Sequence, residues 1–557
     1  MSKILVILLF ILYQTQLQSK ETTFIEFNQR YLSNYFSALF YSNNQDSQKA
    51  LKHFNLSKDL IFKHDNFFLN YIFSLVENNQ VNKALVEIEK YSKKKSLKNF
   101  EINLLKVTRE ISNKNFVNAD KQIEILRNIA LKDTFEIIIV DTLESYIKLF
   151  INKKIIEKRN DYGKLSIVTR AFHECYLQNN KSEQYFLNLI NYSEGDYSRY
   201  LYFFFLNLIN KKEFTKLETF SKEIDILNSN LLILQSKNWI DNEEFEKFSM
   251  HFSCDKENHL ISEFFYLIAN LYSSQGQYKL SNFYLNISQY LNPSFYFNIS
   301  LLSENYLSTK NYKKALKTLN SLGKNELIYN WYRVKKTAQI FSIQKNQEYA
   351  LSYLNKNLIK FSSSNIKINF DLGNIYKNFK QYEKSIEYYN KVLNYLNVDS
   401  FSYSDVLYRR GSSYERLKNY TKSDKDLINS LKINPDDPFV MNYLAYSWLE
   451  RNYNVDIAIE MLKEAYGKEK NNPYITDSLG WAYYIIGNYK LAEKYLNQAV
   501  QLKPNDSVIM DHYGDSLWML GRKQQAKYFW KNVLKNEDTD ELNIEAIKNK
   551  LILGVEN

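Results

Sequence analysis

The chain has 557 residues, of which only 12 are glycine and 5 proline, while 45% are hydrophobic and 16% aromatic. Strand-rich and α/β folds use glycine and proline in tight turns, at a usual combined share of roughly 12%; their scarcity excludes those folds and predicts an all-α chain, and the apolar content excludes global disorder. The net charge of +11 is spread too thinly to demand a nucleic-acid or membrane partner, and two cysteines, Cys175 and Cys254, cannot make a disulfide-rich scaffold or a four-thiolate metal site.

The chain opens with Lys3 as a positive start, an apolar run of ten residues from Ile4 to Tyr13, and a polar stretch from Gln14 to Ser19 that ends in a small residue. A bilayer span needs about 20 apolar residues, so this run suits the hydrophobic region of a secretory signal instead. Residues 1–19 are therefore expected to be a signal peptide cleaved before Lys20, although Leu17 departs from the small residue expected there; an uncleaved anchor is the alternative. No cysteine lies nearby to carry a lipid. The expectation is an exported protein, periplasmic or envelope-associated, touching the membrane at most through its N-terminal segment.

Beyond that start the sequence repeats itself. Ala50 and Ala84 lie 34 residues apart behind Asn44 and Asn78, which predicts units beginning near Tyr31 and Asp65. The basic run Lys90, Lys93, Lys94, Lys95 and Lys98 reads as a solvated helix end or loop. From about Asp133 to Asn228 the small residues are mostly lost and amphipathic helical periodicity remains. His251, Cys254, Asp255, Glu257 and His259 could ligate zinc only if they converged, and an ordinary polar turn between helices is expected. Small residues then return at regular spacing: Gly276 with Ser281, Ala315, Ala350, Gly373, Gly411 with Ser423, Ala445 with Ala458, Gly480 with Ala492, and Gly514 with Ala526. All five prolines (Pro293, Pro435, Pro438, Pro473 and Pro504) fall at unit boundaries, where a residue without an N–H can end one helix or open the next.

This pattern resembles the tetratricopeptide repeat, most clearly from Pro473 to Asp506 and its neighbours. The resemblance implies an all-α, right-handed solenoid of antiparallel helix pairs, about 12–15 repeats long on a 34-residue grid. Along the chain it implies the signal at 1–19, divergent repeats over 20–261, a well-defined array over 262–540, and a C-terminal capping helix or tail over 541–557. On such a regular stack Cys175 and Cys254 stand about two repeats apart, each helix layer adding about 8–10 Å. A disulfide needs Cα atoms within about 7 Å, so none is expected.

The sequence contains no Walker loop, dinucleotide fingerprint, G-x-S-x-G or HExxH motif. No enzyme activity, cofactor or metal is expected. In the family that the pattern resembles, the first helix of each unit lines a concave groove, which implies a protein partner. The turn-spaced groove positions of the last four units hold Tyr408, Ser412, Asn442, Tyr446, Asp477, Trp481, Tyr484, Asp511, Asp515 and Trp518. An aromatic and acidic lining suits a protein segment with apolar anchors and some basic charge, and argues against nucleic acid. The C-terminal units resemble bacterial envelope repeat proteins that act as adaptors. The leading expectation is thus a non-enzymatic scaffold of the cell envelope; the alternative is an accessory subunit of an envelope enzyme or polysaccharide-export machinery.

Overall fold

The computed structural model describes residues 28–62, 65–92, 97–131, 134–156, 160–191, 198–536 and 543–555. The expected signal peptide and the centre of the basic run, positions 93–95, lie outside the described residues. Among the described residues there are thirty α-helices, one short 3-10 turn and no strand, so the fold is all-α and built of repeated helix pairs. None of these helices is long and apolar enough to cross a membrane.

The repeat is written in the backbone more evenly than in the side chains. Between the two helices of most pairs the chain passes through a residue with positive φ: Gln45, Asn79, Lys114, Gln178, Lys212, Glu243, Gly276, Lys310, Lys380, Lys418, Asn452, Gly487 and Gly521. The next residue then donates its N–H to the carbonyl five residues back, as in Gln80 to Leu75, Glu213 to Leu208, Asn419 to Tyr414 and Asn488 to Tyr483. That bond satisfies a carbonyl left orphaned at the helix end. Only three of these thirteen positions are glycine, which is how a chain so poor in glycine turns so often. The turns continue through Gln178, Lys212 and Glu243, where the small residues have gone.

The chain divides into two compact units, one of residues up to 224 with 229–356, the other of residues 225–228 with 357–557. The first unit is closed on itself by contacts far apart in sequence. The Asp65–Glu77 helix packs against Tyr278–Leu291, with the Phe73 and Phe283 rings stacked at 4.5 Å, and Asn311 Nδ2 donates to the Gln45 carbonyl at 2.8 Å. Its core is rich in buried rings, among them Phe172, Phe186, Tyr202, Phe203, Phe252 and Phe295.

That closure corrects one expectation. Cys175 and Cys254 form a disulfide, with Cα atoms 5.7 Å apart. The estimate from a regular stack fails because the Glu257–Ser274 helix packs beside Phe100–Ser112 and Phe135–Asn152. The intervening helices form an excursion whose ends meet. Phe252 lies 4.9 Å from Phe203 and 6.0 Å from Phe172, ring to ring. Beside the bridge Tyr176 donates to Glu257 at 2.9 Å and Gln178 to Asp255 at 3.0 Å. The five potential ligands around Cys254 are dispersed: the thiolate is consumed, and His251 stacks on Trp239 with Nδ1 2.6 Å from the Ser294 carbonyl.

The second unit is regular. Five pairs follow one another: Ile366–Asn378 with Tyr382–Leu393, Phe401–Arg416 with Tyr420–Ile433, Pro438–Glu450 with Val455–Lys468, Pro473–Ile485 with Tyr489–Leu502, and Ser507–Met519 with Lys523–Val533. A single helix, Ile544–Leu553, closes the series against Lys523–Val533. Asp437, Asn472 and Asp506 cap first helices, each accepting from two backbone N–H groups. The small residues lie where the helices of a pair press together: Gly373 faces Tyr389, Gly411 faces Leu427, Gly480 faces Leu496 and Gly514 faces Trp530.

Candidate functional site

The first helices of the second unit's pairs present matching positions from repeat to repeat. In the Pro473–Ile485 helix these carry Asp477, Trp481 and Tyr484, and in Ser507–Met519 they carry Asp511, Asp515 and Trp518. Upstream, the same spacing gives Tyr408, Ser412 and Glu415, then Asn442 and Tyr446.

The structure brings the aromatic members together. Trp481 is half-buried and stacks on Tyr484 of its own helix at 4.6 Å and on His512 of the next pair at 4.1 Å, both nearly parallel. Its Nε1 donates to Glu450 of the preceding pair at 2.8 Å, so one indole touches three successive first helices. Tyr484 is half-buried too, and burial pushes its hydroxyl pKa up. Tyr408 sits edge-on to Tyr443 at 5.7 Å. Tyr446 is half-buried, and beside it on the same helix the Asn442 Oδ1 is buried and accepts no hydrogen bond.

The three aspartates are placed differently from the aromatics. Each is buried and compensated from within the protein. Asp477 lies 3.0–3.1 Å from His512 Nδ1. Burial alone lowers a histidine pKa, but Asp477, with help from Asp511 and Asp515, outweighs it and holds His512 above its ordinary value. Lys550, from the closing helix, donates to both oxygens of Asp511 at 2.8 and 2.9 Å and to Asp515 at 2.7 Å. Trp530 Nε1 adds a bond to Asp515 at 3.1 Å. Burial and the neighbouring Asp511 still push the Asp515 carboxyl up to about 6. Trp518 lies against Trp530 at 5.6 Å and is covered by the chain's end, for a Cβ on Gly554 would fall 1.8 Å from the indole. Asp511, Asp515 and Trp518 are thus engaged with the closing helix and the chain's own end.

One cation lies one pair upstream of the mapped positions. Lys377 occupies in Ile366–Asn378 the place that Tyr484 holds in Pro473–Ile485. Its Nζ donates to Ser412 Oγ at 2.5 Å and lies 5.9 Å from the Tyr408 ring centre. Burial, then Arg409 and Arg416, push its pKa down to about 8. Arg409 bonds Asp405 at 2.9 Å and Asn374 at 3.3 Å, with its guanidinium 5.1 Å from Phe370. Extending the same positional spacing one unit toward the N-terminus reaches Phe370, Asn374 and Lys377, and that was the available signal for them.

Stacked helix pairs that carry matching positions from one pair to the next define an α-helical repeat protein. Models of the tetratricopeptide repeat match residues 366–395, 404–437 and 476–506, so these stretches are repeats of the tetratricopeptide-repeat superfamily. Repeats of this kind imply a scaffold for protein–protein interaction. The TPR repeat-containing protein PA4667 of Pseudomonas aeruginosa is 33% identical over 111 residues, 20% of this chain and 19% of that protein. The chain therefore spans about a fifth of that curated relative's length. Among solved structures, a tetratricopeptide repeat protein from Parabacteroides merdae aligns with 46% of this chain and 98% of its own, at 19% identity and a TM-score of 0.37. MamA from Desulfovibrio magneticus aligns with 31% of this chain and 98% of its own, at 17% identity and a TM-score of 0.25.

Proposed function

We propose that the protein is an exported scaffold that binds a protein segment along the first helices of its second unit. The observation that carries this reading is the stack of Tyr484, Trp481 and His512. Large amphipathic rings, half-buried and held rigid, are the usual anchors of an interface. Tyr408 and Tyr446 extend the row by two further repeats. Export is supported by the signal-like start and by the pairing of the chain's two cysteines, because disulfides persist in oxidising compartments.

The groove is tested by placing a photo-crosslinking amino acid at Tyr446 or Tyr484 in cells, with Ile457 and Tyr528 on the second helices as controls. Discrete adducts at the first pair and none at the second are expected. Adducts only at the controls would move the interface to the other face. N-terminal sequencing tests export separately: the mature chain should begin near Lys20, and an intact Met1 on a cytoplasmic protein would contradict it.

A further inference from the structure

In the first unit the Phe100–Ser112 helix departs from the regular repeat on the side that faces the second helix before it. Counted back from the turn residues Lys114 and Gly487, its Lys106, Arg109 and Glu110 stand where Pro473–Ile485 has Leu479, Ala482 and Tyr483. Those three pack with Ile459 and Leu462 of the preceding second helix. Three charged side chains cannot close such a seam. A cavity of about 360 Å³ opens there instead, walled by Leu85 and Ile88 of Val81–Ser92 and by Gln122 of Phe116–Ile129. The groove positions of the same helix, Leu104, Thr108 and Ile111, are fully buried and take no part in it.

Of the cavity's four charged groups, three are answered. Arg109 Nη1 donates to Glu89 at 2.7 Å, and Glu110 accepts from Asn115 Nδ2 at 2.9 Å. Lys106 is half-buried and makes no hydrogen bond or ion pair among the described residues; burial alone acts on its pKa, and lowers it. An ammonium held this way costs stability that a leucine would return. A residue that breaks the packing rule of its repeat, with no compensating contact, marks a place of use. The lining says what kind of use. Three donors on the ammonium and the Gln122 amide, beside a wall of aliphatic carbon, match an anionic head on an apolar body.

We propose that this cavity binds a small aliphatic carboxylate, with the carboxylate on Lys106 and the hydrocarbon on Leu85 and Ile88. The site belongs to the first unit and uses none of the groove positions. It therefore goes beyond the scaffold reading and stands or falls apart from it.

Saturation-transfer NMR on the full chain tests this with hexanoate, and with hexanamide and hexylamine as neutral and cationic controls of the same length. Hexanoate should receive saturation and the controls should not. Lys106→Gln should weaken hexanoate about tenfold or more, the usual effect of losing a hydrogen bond to a charged group. Lys106→Arg should retain most of the affinity, and Trp481→Ala should change nothing. Lys106→Leu restores the residue type of the regular repeat, so it should lose hexanoate and melt above the wild type. A Lys106→Leu chain that melts below the wild type would make the lysine part of the packing and overturn the proposal. Equal saturation of hexylamine, hexanoate binding indifferent to Lys106→Gln, or no saturation of millimolar hexanoate would overturn it as well. None of these results bears on a protein segment held by the first helices of the second unit.

Discussion

Gly480 is the position where the packing of a repeat is tightest against backbone. A Cβ there would lie 2.7 Å from Leu496 Cγ, 3.0 Å from its Cδ2 and 3.0 Å from its backbone nitrogen. Carbon atoms ordinarily meet at about 3.5–4.0 Å, and Leu496 is fully buried, so it cannot swing aside. The two helices must separate by about 0.5–1 Å to admit even a methyl group, given that spacing. Overpacking costs about 1–3 kcal/mol, and replacing glycine inside a helix returns about 1 kcal/mol of propensity. Gly480→Ala should therefore be destabilising on balance, by up to about 2 kcal/mol. Gly480→Leu should cost about 3 kcal/mol or more, a fall of about 6–12 °C for a unit of this size. Gly467 supplies the control, since a Cβ there meets nothing within 4 Å. Gly467→Ala should stabilise by about 0.5–1 kcal/mol. Thermal melts followed by circular dichroism, with amide exchange to locate the damage in residues 473–502, measure all three. If Gly480→Ala proves as stable as Gly467→Ala, the register of the helix pairs is wrong.

Further outcomes follow from the same contacts. Replacing both cysteines by alanine opens a bridge between residues 79 apart in sequence and should cost about 4–5 kcal/mol on a chain-entropy estimate; a melt indifferent to reductant would exclude the bridge. Lys418→Gly removes a Cβ from a residue at φ 59° and should raise stability by up to about 1 kcal/mol, and a lower melting temperature would contradict the turn geometry. Lys550→Met leaves two adjacent buried carboxylates uncompensated and should cost about 3 kcal/mol at neutral pH. That loss should shrink as pH falls toward about 6, because Asp515, raised to about 6 even beside Lys550, takes up its proton at higher pH once the ammonium is gone and then no longer repels Asp511. His512 has its pKa raised in the folded state, so its contribution is complete below its unfolded pKa of about 6.5 and is lost as pH rises through the folded value. His512→Gln should flatten that part of the stability profile, and an unchanged slope would place its proton elsewhere.

How much of this was legible depended on whether a feature recurs. Gly373, Gly411, Gly480 and Gly514 each face a residue sixteen positions on, at 389, 427, 496 and 530. Repetition makes such pairs visible in one sequence. The closure of the first unit is not repeated: it depends on single encounters such as Phe73 with Phe283, and nothing local encodes which aromatic face meets which. The disulfide was hidden for the same reason. At the candidate site the aromatic row was legible from spacing, but the state of the aspartates was not. Asp477 and His512 are 35 apart, as are Asp515 and Lys550, so each cation stands one repeat from its carboxylate. Reading neighbouring repeats against each other, rather than each against solvent, reveals both pairs.

Hydrogen–deuterium exchange of the full chain, free and saturated with a peptide selected on it from a displayed random library, tests the binding surface most directly. Slower exchange is expected in the first helices, Phe401–Arg416, Pro438–Glu450 and Pro473–Ile485, with little change in the second helices Tyr420–Ile433, Val455–Lys468 and Tyr489–Leu502. Protection confined to the second helices, or to the first unit, would contradict a partner held along the aromatic row of Tyr408, Tyr446, Trp481 and Tyr484.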